Sequence, residues 1–174
     1  GVSSGSSALY LALKACGIKK DDEVILSPLG WIITAQAIKS CGAKPIFADV
    51  LDDLNIDPSK IEKKISRRTK AIVPMHYAGH ICQMDKIIHI AKKYNLKVIE
   101  DTCQSPGSKF KKKYVGTIGD LGTFSTVETK NISTGEGGVI VGNNKDLIHK
   151  CRLIRNHGES YLLGNKRTYQ PKML

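Results

Sequence analysis

Two kinds of hydrophobic pattern alternate along the chain. Short runs of apolar, often β-branched residues are separated by stretches in which apolar positions recur every three or four residues. The second pattern predicts a helix over 6–17, with Leu9, Ala12, Leu13 and Cys16 on one face and Gly17 as its stop. A strand follows over 23–27, then a short helix over 32–41 ended by Gly42, then a strand over 45–50. Asp57-Pro58 opens a helix reaching about residue 65, since proline suits a first helical turn. A strand over 71–76 precedes a helix over 84–94, with Ile87, Ile88 and Ala91 inward and Asp85 in its first turn. The strand over 97–101 is followed by shorter ones over 109–115, 122–125 and 138–142. A last helix over 145–155 stops near Gly158.

This alternation predicts an α/β protein with three layers, α/β/α, around an open and mostly parallel sheet. In such sheets ligands sit beyond the carboxyl ends of the strands. The segments placed there are 3–7, 27–31, 76–79, 101–104 and the chain from Ser125 onward.

Composition narrows the classes. Of 174 residues, 41% are apolar and 25% charged, as in an ordinary globular domain. With 27 Lys and Arg against 16 Asp and Glu, the net charge of +11 suits anionic partners such as phosphates, nucleotides or nucleic acid, and names none of them. The apolar runs are too short for a membrane span, and no basic region followed by an apolar stretch marks a signal peptide. The five cysteines, Cys16, Cys41, Cys82, Cys103 and Cys151, are scattered without a C-x-x-C pair. They read as reduced thiols of a cytoplasmic protein, small residues in a core, and not as zinc ligands; no metal is expected. A first residue other than Met, just ahead of a helix start, suggests a piece of a longer protein.

Three segments carry chemistry. Ser3-Ser4-Gly5-Ser6-Ser7 enters a helix, and a small-residue turn there exposes free backbone N–H groups and hydroxyls fit for a phosphate, or else provides a plain N-cap. Asp101 ends its strand facing the ligand crevice and could hold a cationic ring nitrogen, a metal or a ribose, with Gln104 in reach, or else cap the next turn. Lys130 lies in an apolar and hydroxyl-rich stretch, where a lysine can condense with an aldehyde, against the alternative of one more surface lysine. Weaker signals fall away. Gly135-x-Gly137-Gly138 precedes a strand and so is no dinucleotide fingerprint. His76 and His80 are set off by Gly79 and do not form a helical metal pair. The alternating basic and aromatic residues over 109–114 suit an exposed hairpin better than a nucleic-acid contact.

Taken in order, the stretches SSGSSAL, DEVILSPLGWIITAQAI, GAKPIFADV, IVPMHYAG, VIEDTCQ, VGTIGDLGTFS, TKNISTGEGG and RNHG resemble the DegT/DnrJ/EryC1/StrS family of sugar aminotransferases. That family uses pyridoxal 5'-phosphate on the aspartate-aminotransferase (type I) fold. The resemblance implies that Lys130 is the lysine joined to the cofactor and that Asp101 pairs with its pyridine nitrogen. Gln104 would contact the ring hydroxyl, Ser6, Ser7 and Ser125 the phosphate, and Trp31 would stack on the ring, with core packing as its alternative role. Two positions depart from the family pattern: Val127-Glu128 replaces a frequent proline, and Gly30 a frequent threonine. A dehydratase branch carries histidine in place of Lys130, so transamination is favoured. A dehydratase or epimerase on the same cofactor, or a DNA-binding regulator, stands as the alternative. The implied reaction moves an amino group, with glutamate the expected donor, to a nucleotide-linked keto-deoxysugar for amino-sugar or polysaccharide synthesis. Residues 1–158 would be the cofactor-binding large domain, short of its N-terminal segment, and 159–174 the start of a linker to a small C-terminal domain. A homodimer is implied for the full-length protein, with inactivity expected for this piece alone.

Overall fold

The structure is a computed structural model and describes residues 1–158. The strands are β1 (Glu23–Leu26), β2 (Lys44–Phe47), β3 (Thr69–Val73), β4 (Lys97–Asp101), β5 (Lys109–Phe110), β6 (Lys113–Tyr114), β7 (Leu121–Ser125) and β8 (Gly138–Val141). The helices are α1 (Gly5–Ala15), α2 (Ile33–Ser40), α3 (Pro58–Glu62), α4 (Met84–Tyr94) and α5 (Lys145–Arg155). Six strands form one sheet in the order β2-β1-β3-β4-β7-β8. It is parallel through β7, and β8 returns antiparallel.

Alternation along the strands separates two cores. Val24, Leu26, Ala71, Val73, Ile99 and Leu121 face α1, α2 and α5. Ile25, Ile72 and Val98 face the side covered by α4 and Ile61 of α3. Side chains of period two sandwiched between helices of period 3.6 produce the three expected layers. Each helix end has its own device. Ser4 caps α1 by accepting from Ser7 N–H, Asn144 caps α5, and Asn95 closes α4 in the left-handed region with φ 52°.

Several expected boundaries move for local reasons. The strand expected over 45–50 ends at Phe47; among the described residues β2 is an edge strand paired with β1, and Val50 instead bridges Ile56. The helix expected to reach residue 65 is α3 and stops at Glu62. The strand expected over 109–115 is the β5–β6 hairpin, because Lys111 turns the chain at φ 56°. On α4 the inward row is Ile87, Ile90 and Ala91, with Ile88 only partly buried. The segment expected to start a linker, 159–174, lies outside the described residues. Among the described residues no helix is long and apolar enough to cross a membrane.

Candidate active site

β4 and β7 are neighbours with Asp101 opposite Thr123, so Ser125, two residues on, lies on the same face as Asp101. Asp101 is 3% exposed. Its Oδ2 accepts the Thr34 hydroxyl at 3.1 Å, and its Oδ1 accepts Cys103 N–H at 3.2 Å. The second contact is the turn-capping expected of an Asp after a strand. The Cys103 thiol is a further partner, and since a carboxylate offers about four acceptor positions, capacity for a cation remains. Its backbone is pinned to the β3 side through Asp101 N–H to Pro74 O at 2.9 Å.

The start of α1 lies against Ser125. A Cβ on Gly5 would come 2.7 Å from Ser125 Cβ, so only glycine allows this approach. The first N–H groups of the helix, which have no carbonyl of their own to meet, therefore open near the Ser125 hydroxyl. Ser7 Oγ shares hydrogen bonds with Ser3 Oγ at 2.9 Å and Ser4 Oγ at 3.1 Å. Capping by Ser4 and the expected hydroxyl cluster coexist.

Lys130 stands on the loop between β7 and β8, held by Lys130 N–H to Val127 O at 2.9 Å. In the stretch 128–136 every other residue is exposed, but Lys130 is partly buried. Its positive charge acts on the Cys103 thiol, which is itself raised by burial first and then by the Asp101 carboxylate. Thiol and carboxylate are thus neighbours at the end of β4, and the charge of Lys130, on the loop after β7, acts on the thiol.

The remaining expected residues form the rim. Gln104 Oε1 accepts Ala78 N–H at 2.7 Å, leaving its Nε2 donors for a ligand. Ala78 sits at φ 49°, where a residue with a Cβ is uncommon. Trp31 is 73% exposed, so core packing is not its role. It lines a small cleft of about 120 Å³ together with Gly30, Thr34 and Met75. A Cβ on Gly30 would meet the Met75 thioether at 2.8 Å, so Met75 occupies the space a threonine there would need. A larger groove of about 820 Å³ runs between α1 and α2 and includes Ser6 and Ser7, but neither Asp101 nor Lys130.

Behind the site lies a buried pair that sequence reasoning missed. His76 and Glu100 are both 0% exposed. Cys82 N–H donates to His76 Nδ1 at 3.2 Å, so the ring proton sits on Nε2 and is donated to Glu100 Oε2 at 3.2 Å. Glu100 also accepts the N–H groups of Gly116, Ile118 and Gly119. Burial pushes its carboxyl up, but these bonds outweigh burial and hold it below the ordinary glutamate value. Thr34 was missed as well. A threonine three residues after Trp31 gives no sign in sequence of a contact 67 residues away. Among the described residues no group of three His, Cys, Asp or Glu side chains could hold a metal ion.

The model of the DegT/DnrJ/EryC1/StrS aminotransferase family matches residues 1–174. GDP-perosamine synthase of Escherichia coli O157:H7 is 48% identical over 158 residues, which are 90% of this chain and 43% of that protein. Spore coat polysaccharide biosynthesis protein SpsC of Bacillus subtilis is 44% identical over 166 residues, 95% of this chain and 43% of the relative. Among solved structures, NtdA of Bacillus subtilis with bound cofactor PMP superposes with a TM-score of 0.89 at 36% identity, covering 97% of this chain and 38% of that one. The chain thus spans less than half the length of these relatives.

Proposed function

Because this chain belongs to the DegT/DnrJ/EryC1/StrS aminotransferase family, we propose that the full-length protein uses pyridoxal 5'-phosphate to transfer an amino group, from an amino acid such as glutamate, to a nucleotide-linked keto-deoxysugar. One observation carries this reading: Lys130, the one partly buried residue of the otherwise exposed stretch 128–136, places its charge where it acts on the Cys103 thiol, and Cys103 N–H donates to the buried Asp101 carboxylate. The names of the relatives, a GDP-perosamine synthase and a spore coat polysaccharide biosynthesis protein, support the substrate class.

The residues fit the cofactor by the chemistry of their donors. When bound, pyridoxal phosphate supplies an aldehyde and an electron-withdrawing ring. The first N–H groups of α1, with the hydroxyls of Ser6, Ser7 and Ser125, bind its phosphate dianion. Asp101 holds a proton on the ring nitrogen, since a buried anion favours the cation beside it. Gln104, its Oε1 engaged by Ala78, turns Nε2 to the ring oxygen. Trp31, exposed beside the cleft, would offer its face to the ring. Lys130 Nζ would hold the cofactor at its aldehyde carbon, with water as the leaving group, and as a free amine would serve as the base that carries a proton at the substrate carbon.

Residues 1–158 act as the large, cofactor-binding domain of a homodimer, and the rest of the protein completes the substrate site. Five unpaired cysteines suit the cytoplasm, where such thiols stay reduced.

The test is reduction of the full-length protein with borohydride in the presence of pyridoxal phosphate, followed by peptide mass spectrometry. The label is expected on Lys130; labelling elsewhere, or none, defeats the assignment. With a keto-sugar nucleotide and glutamate an amino sugar is expected, and a deoxygenated or epimerised product without nitrogen would establish the dehydratase or epimerase instead.

A further inference from the structure

We propose that Thr34 is a positioning residue for Asp101, an inference that rests on the function proposed above. Thr34 is 5% exposed and lies in the first turn of α2, whose preceding residues carry Trp31. Its hydroxyl donates to Asp101 Oδ2 at 3.1 Å, while Cys103 N–H holds Oδ1 at 3.2 Å. With the Cys103 thiol as a further partner, each carboxylate oxygen has a donor, and this fixes the plane of the carboxylate. The Cys103 contact is local to the strand end and is present wherever the turn forms. The Thr34 contact is not local: it ties the acid of β4 to the helix that follows β1.

Trp31 and Thr34 share the wall of one cleft. The ring nitrogen's partner and the aromatic face are therefore set by one stretch of chain, and a displacement of α2 would move both together. A hydroxyl suits this place better than a charged donor. It orients the carboxylate without neutralising it, so the negative charge stays available for a ring proton.

The experiment uses the full-length protein with Thr34→Val, which keeps the shape and removes the donor, and Thr34→Ser, which keeps the donor. Dissociation constants are measured for pyridoxal phosphate and for its 1-deaza analogue, which has carbon in place of the ring nitrogen and makes no use of Asp101. Wild type is expected to bind pyridoxal phosphate the more tightly. Thr34→Val should narrow that ratio by about tenfold, the weight of a hydrogen bond to a charged group, and Thr34→Ser should keep it within about twofold. A merely structural threonine would weaken both ligands alike. If wild type discriminates and Thr34→Val discriminates equally, the positioning role is overturned and the function stands. If wild type binds both ligands alike, Asp101 is not the partner of the ring nitrogen, and the function and this inference fall together.

Discussion

Lys130 joins a hydroxyl-rich sequence setting to partial burial in an otherwise exposed stretch. Residues beside it, such as Ile132 at 59% exposure, are exposed, whereas Lys130 is partly buried and its charge acts on the Cys103 thiol. Replacing Lys130 by alanine should remove borohydride-fixed cofactor and lower kcat by more than about a thousandfold, since both the covalent anchor and the proton carrier are lost. The thiols make a second prediction. Burial pushes Cys16 and Cys82 up to about 12 and Cys41 and Cys151 to about 11. Cys103 is raised too, by burial first and then by Asp101. The thiolate is the reacting form. Native protein at pH 8 should therefore react with a thiol reagent at least about a hundredfold more slowly than the same protein in denaturant, read by absorbance. Glu100 gives a third. Its folded value lies below its ordinary 4.5, so it stabilises the fold above that pH and the contribution is lost as pH falls through the lower folded value. A Glu100→Gln variant should show a flatter urea midpoint between pH 6 and about 3, with the difference from wild type largest at neutral pH.

At the scale of elements, the site depends on how closely α1 approaches β7 and β8. Gly5 meets Ser125, and a Cβ on Gly138 would lie 2.4 Å from Ser4 O, a backbone atom that cannot step aside. Alanine early in a helix usually gains about 0.5–1 kcal/mol over glycine. Here the clash should reverse the sign. Gly5→Ala is expected to cost about 1–3 kcal/mol in chemical denaturation and to weaken cofactor binding as α1 moves away from the Ser125 hydroxyl. The hairpin β5–β6 shows the opposite situation. Lys109 lies over the Tyr114 ring at 4.4 Å, and Lys111 pairs with Asp85 at 3.1 Å. Two of its four lysines, Lys109 and Lys111, are thus engaged with neighbours, and the segment forms the exposed hairpin expected of it.

For the whole molecule, the sheet separates two cores, and the candidate site sits on the α1–α2–α5 side of its carboxyl edge. Four parts of the chain meet there: the starts of α1 and α2 and the ends of β4 and β7. A ligand that contacts all four binds the folded state alone. Pyridoxal phosphate at about one hundred times its dissociation constant should then add about 2.7 kcal/mol of stability, seen as a rise in thermal midpoint that Asp101→Asn diminishes. An unchanged midpoint in wild type would argue against cofactor binding.

The sequence by itself was enough for the layers, the element order and the place to look. Strand and helix periods are local properties of a chain, and parallel sheets put their ligands at one edge. Serine turns, a strand-ending Asp and a lysine among hydroxyls were legible because each carries its chemistry in its own type. The contact from Thr34 to Asp101, the Ala78 grip on Gln104, the Glu100–His76 pair and the seat of Gly5 on Ser125 were decided only by the tertiary structure. Each joins segments far apart in sequence, across strands whose order in the sheet differs from their order in the chain. A hydrogen bond between such segments depends on the packed distance between two backbones, which no local pattern encodes.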